Sequence, residues 1–172
     1  QLIKHVHIFA PQDLGIQDIL ISEGHIAHIA PHIETAPYME ITDGSGKQLT
    51  PGLIDRHVHV SGGGGEGGFA TRTPEIQLSA LIQAGITTVV GLLGTDGVTR
   101  SVEDLIAKVK ALNSEGISAY AMTGSYAYPS TTITGSVKKD ILFIDEILGV
   151  KLALSDHRSS HISFEEFLRL AS

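Results

Sequence analysis

Pro51-Gly-Leu-Ile-Asp55-Arg-His57-Val-His59-Val-Ser-Gly62-Gly-Gly-Gly65-Glu66 is the stretch on which the fold of this chain turns. Side chains alternate across a strand, so Leu53, Asp55, His57 and His59 share one face and the two imidazoles stand side by side. That arrangement can hold a metal ion. The four glycines at 62–65 free the backbone for positive φ and close approach to a ligand, and they deliver Glu66 beside whatever the histidines hold. The competing reading is an ordinary strand. The chain has nine histidines, and the same His-Val-His recurs at His5–His7, without glycines or an acidic residue after it. Those two are read as surface strand residues, while context favours His57 and His59 as ligands.

The totals narrow the function. The chain has 172 residues, 42% of them hydrophobic and 18% charged, which suits a soluble globular protein with a real core. A net charge of −7 without a basic cluster argues against a nucleic-acid partner. Cysteine is absent, so disulfides and thiolate metal sites are excluded, and any metal must be held by histidine, carboxylate or a modified residue. No apolar run reaches the length of a membrane span and no signal peptide is visible, so no membrane partner is expected and a cytoplasmic location is the default.

Working outward, residues 1–50 read as a small β domain, a partial sandwich, with a hairpin turning at Glu23-Gly24. It has too few strands to close a sandwich alone. Residues 51–172 alternate strand and helix. Strands are expected at Leu53–Val60, Ile86–Leu93, Ile117–Thr123 and Gly149–Leu154. The first helix is expected to open at Thr73-Pro74, with Thr73 as N-cap, and to end at Gly85. A second is capped by Ser101 and closed by Gly116; a third carries Ile141, Ile144, Ile147 and Leu148; Ser163–Glu166 is a capping box opening a fourth. The α/β pattern predicts a parallel sheet with helices outside, either a barrel or a doubly wound sheet. His57, His59, Thr95, Asp96, Tyr126 and Arg158 fall at or beyond strand C-terminal ends, where a (β/α) barrel builds its active site. About four units are present where a closed barrel needs eight, so this is expected to be the first half of such a barrel.

Lys151 is unusual as a cation between Val150 and Leu152 in an apolar strand. It either snorkels from a strand end or, beside a metal, adds carbon dioxide to become an anionic carbamate able to bridge two ions.

The motifs PGLIDRHVH, GGGGE, GLLGTDG, TGSYAYPS, ITGS and GVKLALSDHRS, in one register from about Pro51 to Ser160, resemble the bacterial isoaspartyl dipeptidases of the amidohydrolase superfamily. The resemblance implies the N-terminal part of a (β/α)8 TIM-like barrel preceded by a small β segment. It implies two zinc ions, with His57 and His59 on the more buried one and carboxylated Lys151 bridging both. Glu66 would take the substrate's α-amino group, Gly64 and Thr95 would line the pocket, Tyr126 would polarise the scissile carbonyl, and Arg158 would pair with a substrate carboxylate. The implied reaction is hydrolysis of a β-aspartyl dipeptide by a metal-bridging hydroxide, in a homo-oligomer. The family's remaining histidine ligands, catalytic aspartate and second arginine would lie beyond Ser172. Two other readings stand beside this one: a different amidohydrolase, such as a cyclic amidohydrolase or deacetylase, and a non-catalytic half-barrel binding protein.

Overall fold

The computed structural model describes residues 1–172, which separate into two compact units, Gln1–Pro51 and Gly52–Ser172. In the first unit, β1 (Leu2–Phe9) lies at the centre of a five-stranded sheet. It pairs antiparallel with β2 (Asp13–Ser22) and parallel with the short strands β4 (Ile41–Asp43) and β5 (Gln48–Leu49), while β3 (His25–Ala30) extends the sheet beyond β2. Glu23 and Gly24 both take positive φ, 51° and 76°, which is the two-residue hairpin geometry that matches strand twist. Val6, Ile8 and Ile19 form the small core of this unit.

The first unit also buries a charge. The Asp18 side chain accepts the backbone N–H groups of His5 (2.9 Å) and Ile33 (3.0 Å) and pairs with Lys4 Nζ at 3.2 Å. Burial alone would raise its carboxyl, but these three donors outweigh it and hold the pKa at about 2. His5 and His7 both lie on β1, and each is within ion-pair distance of an aspartate: His5 of Asp43 (3.7 Å) and His7 of Asp13 (2.6 Å).

The second unit is a parallel sheet in the order β6 (Leu53–Val58), β7 (Ile86–Gly91), β8 (Ser118–Gly124), β9 (Ile147–Lys151). Between and after these strands run α1 (Leu78–Gln83), α2 (Val102–Ser114), α3 (Val137–Phe143) and α4 (Phe164–Ala171). The longest, α2, starts where Ser101 Oγ accepts the Asp104 N–H. It buries Val102, Leu105, Ile106, Val109 and Leu112 against Val89, Ala119, Ala121 and Ile147. Each such side chain contributes about 1.5–3 kcal/mol of burial, so this face fixes the helix on the sheet. The capping box at Ser163 and Glu166 forms as expected and opens α4. No helix is long and apolar enough to cross a membrane.

Several boundaries differ from the expectation: β7 ends at Gly91 rather than Leu93, β8 runs one residue later at each end, and β9 ends at Lys151 rather than Leu154. Strand β6 ends at Val58, so His59 lies just past it. Helix α1 begins at Leu78 with Gln77 as N-cap, not at Thr73-Pro74. The intervening backbone is already committed, because the Ile76 N–H donates to the Val60 carbonyl at 3.1 Å and the Thr73 hydroxyl accepts the Gly63 N–H at 2.9 Å. Helix α3 stops at Phe143, with Ile144 extended at φ −119° and ψ 101°. Ile147 and Leu148 therefore belong to β9, where Ile147 registers against Ala121.

A second buried carboxylate anchors α3. Asp140 is fully buried and accepts the N–H groups of Ile133 (3.0 Å) and Thr134 (2.9 Å), the Thr134 hydroxyl (2.7 Å) and the Thr123 hydroxyl. It thereby holds the end of the loop that begins where β8 ends. That loop is closed a second time by the Gly124 N–H on the Thr131 carbonyl at 2.9 Å.

Candidate active site

The site lies in the second unit, at the C-terminal ends of its four strands. His57 and His59 sit with ring centres 5.6 Å apart and planes at 74°. His59 Nδ1 is 3.1 Å from the Leu92 carbonyl. A carbonyl only accepts, so Nδ1 carries the proton and Nε2 keeps its lone pair. Burial lowers the pKa of this imidazole, and repulsion from His57 and Lys151 adds to that, against the Leu92 hydrogen bond and the Glu66 charge, which raise it. The ring is slotted between two glycines: a Cβ on Gly94 would stand 3.1 Å from His59 Cε1, and one on Gly63 would stand 3.4 Å from the His59 Cβ.

The glycine run turns back on itself. Gly62, Gly64 and Gly65 all have positive φ, and a Cβ on Gly64 would meet the Thr71 carbonyl oxygen at 2.6 Å. The turn presents Glu66, whose carboxylate accepts the Thr95 hydroxyl at 3.2 Å and pairs with Arg158 Nη1 at 3.1 Å. Its own backbone N–H, the Thr95 hydroxyl and the Arg158 charge hold this carboxyl below the usual range. A cavity of about 50 Å³ is lined by His59, Gly64, Glu66, Thr95, Arg100 and Tyr126, among others.

Arg158 is held from a second side by Asp156, through Nε to Oδ1 at 2.9 Å and Nη2 to Oδ2 at 2.8 Å. This two-pronged pair keeps Asp156 ionised well below the carboxylate range and raises the Arg158 pKa. Two cations approach the Tyr126 ring: Lys151 Nζ is 5.2 Å and Arg158 Cζ 5.4 Å from its centre. The Tyr126 N–H also donates to the Gly94 carbonyl at 3.2 Å, tying the loop after β8 to the loop after β7.

The eight residues to which the resemblance gives a role thus occur at one end of this sheet. The chain's 172 residues can be superposed almost throughout on a larger solved enzyme: the β-aspartyl dipeptidase of Fervidobacterium islandicum AW-1, solved in complex with the dipeptide β-Asp-Leu. The match covers 98% of this chain with a TM-score of 0.94 and 50% sequence identity. The chain belongs to the amidohydrolase superfamily. The dihydroorotase of Staphylococcus aureus (strain Mu50 / ATCC 700699), from the same superfamily, is 35% identical over 113 residues, or 66% of this chain. The D-hydantoinase of a Thermus species shares the fold, with a TM-score of 0.67 over 99% of the chain at 22% identity. No family model matches the sequence. The chain spans 45% of the length of the dipeptidase and 26% of the dihydroorotase.

No group of three or more histidine, aspartate or glutamate side chains is arranged to hold an ion. The available donors are two imidazoles and Lys151. Sequence reading passed over Asp156, the clamp on Arg158, although its place two residues before an arginine was a usable signal. It also passed over Arg100, whose isolated position after a loop carries no motif.

Proposed function

We propose that the full-length protein hydrolyses β-aspartyl dipeptides, and that the residues of this chain supply substrate recognition and half of a zinc centre. The observation that carries this reading is the Glu66–Arg158 pair, 3.1 Å apart, with Glu66 lining the same cavity as His59. A β-aspartyl dipeptide carries an ammonium group and carboxylates. Seating the ammonium on Glu66 and a carboxylate on Arg158 replaces one internal ion pair with two to the substrate. Asp156 keeps the guanidinium oriented while Glu66 turns to the ligand, and Thr95 holds the Glu66 carboxylate by its hydroxyl. Gly64 lines the same cavity and lets the turn close tightly against the Thr71 carbonyl.

The donor chemistry suits a divalent metal. His59 has its Nε2 lone pair free, His57 adds a second nitrogen, and Lys151 adds an oxygen donor once its neutral amine has combined with carbon dioxide and lost a proton. Two zinc ions bound there would supply Lewis acidity toward the scissile carbonyl and lower the pKa of water. Tyr126 donates its hydroxyl to the carbonyl oxygen as negative charge develops on it. Water adds to the carbonyl carbon, the C–N bond breaks, and the proton ends on the leaving amine.

The dihydroorotase similarity favours a second reading, a cyclic amide hydrolase with the same two histidines. That reading leaves the Glu66–Thr95–Arg158 constellation without a role. The test is to assay the full-length protein, with its metal content measured, on β-Asp-Leu, dihydroorotate, dihydrouracil and N-acetyl-leucine. Leucine release from β-Asp-Leu alone is expected. Turnover confined to the other three substrates overturns the dipeptidase reading.

A further inference from the structure

We propose that Arg100 is the positioning residue that sets where Glu66 stands, and so sets selectivity for a substrate that carries an α-ammonium group. The inference rests on the reading of Glu66 given above. Arg100 is only 6% exposed, a rare state for a guanidinium, and it touches no residue for which a direct chemical role has been argued. Its Nε donates to the Ser61 carbonyl at 3.2 Å and its Nη2 to the Thr73 carbonyl at 2.7 Å. Ser61 and Thr73 are the two ends of the segment that carries the glycine run and Glu66. A single planar group therefore pins both ends of that loop, as a fork with fixed donor directions does and a lysine ammonium does not.

Three further contacts pass this constraint toward the site. Gly62 rests on the guanidinium, since a Cβ there would lie 2.7 Å from Nη2. Gly63 and Thr73 exchange two hydrogen bonds, N–H to Oγ1 and N–H to carbonyl, each 2.9 Å. The third nitrogen, Nη1, is buried without a hydrogen-bond partner and lies 4.0 Å from Asp96 Oδ2, in the loop that also carries Thr95. Asp96 is itself fixed, accepting the N–H groups of Val98 (3.1 Å) and Thr99 (2.8 Å). Arg100 thus joins the Glu66 loop to the loop that supplies the Thr95 hydroxyl. Loss of the fork should move Glu66 relative to Thr95 and Arg158 while leaving β6–β9 in place.

The test compares Arg100→Lys with the unaltered full-length protein on β-Asp-Leu and on N-succinyl-leucine, the same amide without the α-amino group. The proposal expects kcat/KM for β-Asp-Leu to fall about 10- to 100-fold, mostly through KM, as for a displaced positioning group. N-succinyl-leucine should change far less, so the preference between the two narrows. Hydrogen exchange gives a readout independent of activity: the amides of Gly63 and Thr73 should exchange about 10-fold faster in the variant, with α2 unchanged. Thr73→Val removes the Gly63 contact without touching the guanidinium and should give a smaller loss of the same selective kind. Equal loss on both substrates, or unchanged exchange in the loop, overturns the proposal. If the unaltered protein fails to cleave β-Asp-Leu, the dipeptidase reading falls and the exchange measurement alone decides the role of Arg100.

Discussion

Replacing Asp140 by alanine should be among the most damaging single changes in the second unit, and its size can be worked from the contacts. The carboxylate is fully buried and serves four donors. Two of them keep another acceptor when it goes: the Thr123 hydroxyl has the Thr131 carbonyl at 3.2 Å, and the Thr134 hydroxyl has the Ser136 carbonyl at 3.1 Å. The N–H groups of Ile133 and Thr134 lose their acceptor. At about 1–3 kcal/mol for each orphaned buried donor, Asp140→Ala should cost roughly 4 kcal/mol, or about 10 °C in Tm. Asp140→Asn keeps an acceptor oxygen and should cost about half as much. Chemical unfolding followed by circular dichroism reads both values. The effect should also depend on pH. Burial raises the Asp140 carboxyl, but the hydroxyls of Thr123 and Thr134 and the two N–H groups outweigh it and hold it below its ordinary 3.8. A depressed folded pKa contributes stability that is full above the unfolded value and is lost as pH falls through the folded one. The gap between the unaltered protein and Asp140→Asn should therefore narrow below about pH 3.8. An alanine variant within 0.5 kcal/mol of the unaltered protein, a threshold of about the size of a surface substitution, would refute the reasoning.

Glu66→Gln should lower kcat/KM on β-Asp-Leu by about 10- to 100-fold, leave N-succinyl-leucine nearly unchanged, and leave Tm almost unmoved, because the Glu66–Arg158 pair is largely solvent-screened; equal loss on both substrates in steady-state assays would remove the ammonium role. Lys151→Ala should abolish both bound metal, read by elemental analysis, and activity, with partial recovery of both on adding short carboxylic acids; retained metal and activity would remove the carbamate. Asp18→Ala strands the Lys4 ammonium and two N–H groups and should destabilise the first unit by about 3 kcal/mol. The native Asp18 contribution, with a folded pKa of about 2, should fade only as pH falls below the unfolded 3.8 toward that value, as followed by acid unfolding.

What could be read from the sequence was whatever local chemistry specified. The Glu23-Gly24 turn, the Ser101 cap, the Ser163–Glu166 box and the apolar runs of β7 and β8 each carry their signal within a few residues. The misplaced helix boundaries share a cause. Thr73-Pro74 is a good helix start in isolation, but the Gly63 N–H and the Arg100 guanidinium claim Thr73 from positions far along the chain. Ile147 and Leu148 fit a helical stripe until pairing with β8 draws them into a strand. The site followed the same rule. His57, His59 and Glu66 announce themselves by spacing, whereas Asp156 and Arg100 act by gripping other residues, a role that composition does not mark.

The Tyr126 ring, with Lys151 and Arg158 close to it, also offers a reporter for the proposed chemistry. The chain has no tryptophan and only four tyrosines, so near-ultraviolet absorbance has few contributors. Carbamate formation at Lys151 would exchange a positive charge facing that ring for a negative one at the same place. Tyr126 would then serve as an optical gauge of the charge on its neighbour, following the proposed carbon dioxide uptake in solution without label, substrate or crystal.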